Sequence, residues 1–189
     1  MTIIRHRRHV RAAATISLLG LAVVGCGPLS DAASAPGTTS RGPVDALTVE
    51  VSGGPTGKST ELAEPVTCRW YQWGTRGHHY TFNGVVRING QPYRLSIGLS
   101  SVEEGRTRFM ITSMSTGVVT FYRDSAGVVS DERWASGPVT NASQVKGTIT
   151  LDADKSGSID AVLSRQKGTP GTPLTIRASW SCATILGAP

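Results

Sequence analysis

The chain has 189 residues, 39% of them hydrophobic and 17% charged, with 19 lysines and arginines against 13 aspartates and glutamates for a formal net charge of +6. Four of those arginines (Arg5, Arg7, Arg8 and Arg11) lie in the opening segment, and the rest of the chain holds 15 basic against 13 acidic residues, a net of +2. The basic balance is therefore a property of the N-terminus, and with no basic run elsewhere the chain lacks the electrostatic footprint of a nucleic-acid binder.

The N-terminal arginines precede an apolar run from Ala12 to Val24, with small residues around Gly25-Cys26. A basic segment, an apolar segment and small residues in that order describe a secretory signal. The run is shorter than the roughly 20 apolar residues that span a bilayer comfortably. Its ending "LAVVGC" resembles the lipobox of bacterial lipoproteins, with Val23 where leucine is usual. The resemblance implies a signal peptide over residues 1–25 and acylation of Cys26, which becomes the mature N-terminus. Each buried acyl CH₂ contributes about 0.8 kcal/mol, and stable anchoring takes more than one chain. The two or three chains of such lipoproteins would hold the protein on the extracytoplasmic face of the cell membrane.

Residues 26–44, "CGPLSDAASAPGTTSRGPV", offer almost nothing to bury, and such composition predicts a flexible tether. Residues 45–189 then read as one β-rich domain of adequate size for a core. "ALTVEV" alternates as a strand. "SGGPTGKST", Ser52 to Thr60, looks like a nucleotide-binding loop, but the first glycine of the pattern should stand at 52, where the chain has Ser. The spacing matters because consecutive backbone N–H groups must wrap a phosphate before a helix begins. Here "TELAEPV" is too short for a helix and ends the possibility at Pro65. Nucleotide binding is excluded, and the stretch reads as a turn-rich loop with Lys58 solvated.

Strand-like segments follow in series. "VTCRWYQW" is aromatic and β-prone, and "HHYTFNGVVRI" and "QPYRLSIGL" flank Asn89-Gly90, the strongest short-range hairpin signal. Glu103-Glu104 fall at a hairpin tip before "RTRFMITS"; "TGVVTFYR" and "GVVSDERWA" flank a turn at "DSAG". "QVKGTITLDA" and "SIDAVLSR" flank "DKSG", and "PLTIRASWSC" closes the domain. No sustained 3.6-residue apolar period appears after the leader. Many short strands with glycine-rich turns predict an all-β fold: a single antiparallel sandwich, curved sheet or partial barrel.

Three sets of residues bear on chemistry. "DADKSGSID" resembles a calcium loop, with Asp152, Asp154 and Asp160 as candidate ligands, but Leu163 stands where the bidentate glutamate belongs and the flanks are strands rather than helices. A polar hairpin turn is the simpler expectation. Trp70, Tyr71 and Trp73 form a candidate ligand or partner face, although on a strand Trp70 and Tyr71 point to opposite sides, one of them toward a core that packs a tryptophan near the disulfide. No nucleophile elbow or paired catalytic carboxylates appear, so no catalytic residues and no cofactor are expected.

Of three cysteines, Cys26 is assigned to acylation, which leaves Cys68 and Cys182 as one natural disulfide in an oxidising compartment. A zinc site would need His78 and His79, which as strand neighbours point apart.

The lipobox at Cys26, the Ser/Thr/Pro/Gly/Ala tether, "LTVEVSGG", a segment ending "PVTC" and the closing "LTIRASWSC" are together similar to the mycobacterial 19-kilodalton lipoprotein antigen family. The resemblance implies an actinobacterial surface lipoprotein with adhesin- or antigen-like interactions and no catalytic residues. Its partners would be the membrane, through Cys26, and a lipid, glycan, or host or envelope protein met by the β domain. The alternative reading is a carrier with a lipid or glycolipid in an apolar cavity of that domain.

Overall fold

The computed structural model describes residues 44–72, 74–75, 77–115, 117–125, 130–166, 168 and 171–187. Among them there are twelve strands and one 3₁₀ turn (Ala142–Gln144): β1 Ala46–Ser52, β2 Gly57–Ser59, β3 Leu62–Gln72, β4 His78–Ile88, β5 Gln91–Val102, β6 Arg108–Ile111, β7 Gly117–Arg123, β8 Arg133–Ala135, β9 Lys146–Leu151, β10 Gly157–Arg165, β11 Leu174–Ser181 and β12 Ile185–Leu186. The strands join in the order β12-β3-β4-β5-β7-β8-β10-β11-β1-β2, with β9 and then β6 branching from β10. All pairings are antiparallel except that of β12 with β3. The sheet is open and strongly curled into a half-barrel, the curved form of the all-β fold expected from the alternating strands.

The curl is set at β10. Its first part, Gly157 to Val162, pairs with β9, while Ser164 and Arg165 at its end pair with β8. One strand thereby leaves one limb of the sheet and enters the other. Between the limbs lies a single core, in which Trp134, Tyr80, Phe82, Phe121, Leu47 and Leu95 are each less than 2% exposed. Strand alternation supplies it: in β1, Leu47, Val49 and Val51 point inward and their neighbours outward. Phe82 of β4 stacks on Trp180 of β11 at 4.9 Å between ring centroids, and Tyr93 on Phe121 of the neighbouring β7 at 5.4 Å, so rings from separate and from paired strands interlock at native distances.

Turn chemistry places the hairpins. Asn89 and Gly90 both adopt positive φ, 51° and 75°, the primed turn that suits the right-handed twist of β4 and β5. Pro65, which has no N–H to give a ladder, sits in β3 at a shift of register against β4. Gly84 in β4 is buried because β1 crosses it closely: a Cβ there would lie 2.6 Å from Leu47 Cδ2.

The "SGGPTGKST" stretch resolves as packing. Gly53 has φ of 90° and a Cβ on Gly54 would strike the Trp134 ring, so the glycines admit Pro173 and Trp134 rather than a phosphate. One detail differs from the turn-rich loop expected there. Gly57–Ser59 pairs with β1 as a short edge strand, with Lys58 exposed on it opposite Glu50. Likewise, among its described residues "GVVSDERWA" contributes Arg133–Ala135 as strand, and Ala126 and Gly127 of the "DSAG" turn lie outside the described residues.

Cys68 on β3 and Cys182 just after β11 form a disulfide with Cα atoms 6.1 Å apart, linking residues 114 apart in the chain. It fastens the N-terminal part of the domain to its C-terminal end.

Candidate functional site

Beside the disulfide, two turns and the ends of strands converge on a cleft of about 610 Å³. Trp70 comes from β3, His78 from the start of β4, Glu103 to Thr107 from the β5–β6 turn, and Asp152 to Lys155 from the β9–β10 turn. The Trp70 and His78 rings stack at 4.6 Å, 15° from parallel. The Lys155 ammonium lies 3.8 Å from the Trp70 ring centroid, close enough for a cation–π attraction of about 0.5–2 kcal/mol. Trp70 is 9% exposed, so it presents little of its ring to the cleft, with a cation held over it.

Tyr80 anchors this arrangement from beneath. It pairs across the ladder with Trp70, and alternation turns it into the core. Its hydroxyl accepts a hydrogen bond from Trp180 Nε1 at 2.7 Å and donates one to the Lys155 carbonyl at 2.9 Å. Cys68 Sγ is 3.3 Å away. Burial raises the Tyr80 pKa well above its ordinary value; the Trp180 hydrogen bond opposes that shift and the Asp154 charge adds to it. The hydroxyl therefore stays a neutral structural link among β3, β4, β11 and the β9–β10 turn. Lys155 holds φ of 66°, a left-handed conformation that a lysine adopts only when its surroundings hold it there.

The structure does not bring the three candidate aspartates together. Asp154 Oδ1 accepts hydrogen bonds from Ser156 Oγ at 2.5 Å and Ser156 N at 3.0 Å, which hold its carboxyl below the usual range. Asp160, the third candidate calcium ligand, points from the outer face of β10 to Arg177 Nε at 3.2 Å. Among the described residues no group of three or more His, Cys, Asp or Glu side chains is placed to hold a metal ion. The stretch is a hairpin turn because β10 takes its aspartate to another surface.

The aromatic face expected from "RWYQW" is likewise divided. Trp70 faces the cleft, whereas Tyr71 lies half-buried on the other side of β3, its ring stacked on His79 at 5.4 Å. Trp73 and Cys26 lie outside the described residues. Lys155 of the cleft and Tyr80 beneath it carry no signal in the sequence beyond a turn and alternation. Their roles arise from a hydrogen bond between positions 75 apart in the chain.

The cleft thus offers contact chemistry: the Trp70 ring, an ammonium, a small apolar floor from Val102 and Leu151, and the carboxylates of Glu103, Glu104 and Asp152 at its rim. Comparison with protein-family models, with curated proteins and with solved structures finds no match for this chain.

Proposed function

We propose that the protein is a lipid-anchored cell-envelope lipoprotein, held at the extracytoplasmic face through acyl chains on Cys26, whose β domain is a non-catalytic recognition module. On this reading the domain meets a glycan or a protein of the envelope or host at the Trp70–Lys155 cleft. The basic leader, the lipobox-like "LAVVGC" and the polar tether support the address. The same features support kinship with the 19-kilodalton antigen lipoproteins.

The observation that carries the recognition reading is the filled interior. Trp134, Tyr80, Phe82 and Phe121, each under 2% exposed, occupy the space between the limbs. A carrier of lipid or glycolipid would need that space empty. Binding chemistry is left to the surface, where the Tyr80 hydroxyl ties down the Lys155 turn of the cleft.

The test is the intact mass of the protein purified from its native envelope, sprayed under native and then denaturing conditions. A covalent excess on Cys26 that survives denaturation supports the anchor, and its absence overturns it. An additional mass of a lipid or glycolipid lost on denaturation would overturn the recognition reading in favour of a carrier.

A further inference from the structure

On the opposite side from the core, the limb formed by β6, β9, β10, β11, β1 and β2 carries a row of charges with a definite order. Asp160 on β10 pairs in register with Arg177 on β11, Arg177 with Glu50 on β1, and Glu50 with Lys58 on β2. Residues directly opposite in a ladder share a face, and all four are exposed. Across four adjacent strands the signs run minus, plus, minus, plus. Beside this row runs a second one of short hydroxyl side chains: Thr150, Ser158, Ser179 and Thr48. The long charged side chains wall a shallow trough of about 600 Å³ over that floor.

Within the chain these charges are little used. Arg177 and Asp160 meet at 3.2 Å with both side chains 67% exposed, a geometry that contributes little by itself. Among the described residues Glu50 and Lys58 form no ion pair.

We infer that this face is self-complementary and docks a second copy of the chain face to face. A two-fold axis lying in the face, parallel to the strands and between β11 and β1, reverses the row. Asp160 then opposes Lys58 of the second copy, and Arg177 opposes Glu50 of the second copy, each pair being made twice by symmetry. The alternative two-fold, across the strands, sets every charge against its own kind. The order of signs therefore selects one orientation, as charge patterns at interfaces do. At about 4.8 Å per strand the overlap is four strands wide, roughly 19 Å, well under the standard interface size. The dimer is accordingly weak in dilute solution and sensitive to salt. Copies anchored to one membrane, on the reading proposed above, would meet at a much higher effective concentration.

The experiment is sedimentation velocity on the intact protein from micromolar to millimolar concentration, at low and high salt, with Lys58→Glu and Asp160→Lys. Wild type should dimerise at low salt and dissociate at high salt. Each variant alone turns the Asp160–Lys58 pairs repulsive and should weaken association by about tenfold or more. An equimolar mixture of the two variants should associate again, because each reversed charge then meets its opposite on the other copy. Circular dichroism matching wild type shows that the variants fold. A wild-type monomer at millimolar concentration overturns the inference. So do variants that dimerise as wild type does, or a mixture that stays monomeric.

Discussion

Replacing Tyr80 with phenylalanine removes one oxygen atom from the point where four parts of the domain meet. The hydroxyl accepts from Trp180 Nε1 at 2.7 Å and donates to the Lys155 carbonyl at 2.9 Å. Trp180 is 3% exposed, so its N–H has no water to turn to. An intramolecular hydrogen bond contributes about 1 kcal/mol net, and a buried donor left without a partner costs about 1–3 kcal/mol. The two together predict a destabilisation of about 2–4 kcal/mol, a large share of the roughly 5–15 kcal/mol that holds a domain folded. For a domain of this size that lowers Tm by roughly 5–15 °C. Urea unfolding followed by tryptophan fluorescence, with the disulfide intact, should show a lower midpoint and an unchanged slope. The comparison is Tyr93→Phe, whose hydroxyl donates to the Glu132 carboxylate at 3.0 Å in a part-buried bond and should cost about 1.5–3 kcal/mol. If Tyr80→Phe loses less than about 0.5 kcal/mol, the buried hydroxyl does not tie Trp180 to the Lys155 turn as argued.

Three further outcomes are expected. Removing the Cys68–Cys182 link, which closes a loop between residues 114 apart, should destabilise by about 4–5 kcal/mol in the chain-entropy model; urea melts of the Cys68→Ser/Cys182→Ser protein check it. Gly84→Ala places a methyl 2.6 Å from Leu47 Cδ2 and should cost about 1–3 kcal/mol through overpacking. Combining it with Leu47→Ala should give less than the sum of the two single losses in a double-mutant cycle. Stability should also fall at alkaline pH. Burial, with the Glu132 hydrogen bond and charge adding to it, raises the Tyr93 pKa to about 12, while the unfolded chain loses this proton near 10. Between those values the unfolded state binds fewer protons than the folded one, so stability drops as pH rises through the window. Tyr93→Phe should flatten part of that drop in unfolding midpoints measured from pH 9 to 12, and an unchanged profile would refute the assignment.

Much of this protein is written in short-range pattern. Alternation of apolar and polar residues with a period of two marks β1, β4, β5, β10 and β11, because side chains on a strand leave opposite faces in turn. Asn89-Gly90 specifies its hairpin because both residues tolerate positive φ. The Cys68–Cys182 bond is legible by count, and the division of Trp70 from Tyr71 follows from the same period. Apart from the disulfide, which joins residues 114 apart, each of these is settled by chemistry within a few residues of the position concerned.

Other features depend on register between strands far apart in the chain, which no local pattern encodes. That β10 joins both limbs is one of these. That Asp160 meets Arg177, and so leaves the aspartates of the calcium-like turn, is another. The same holds for the Lys155 ammonium over Trp70, and for Gly54 beneath Trp134 where a phosphate loop had suggested itself. A strand's own residues determine which side chains share a face. Closure of the curled sheet decides which of those faces meet, because only the packed core selects one register among the many that local pattern allows.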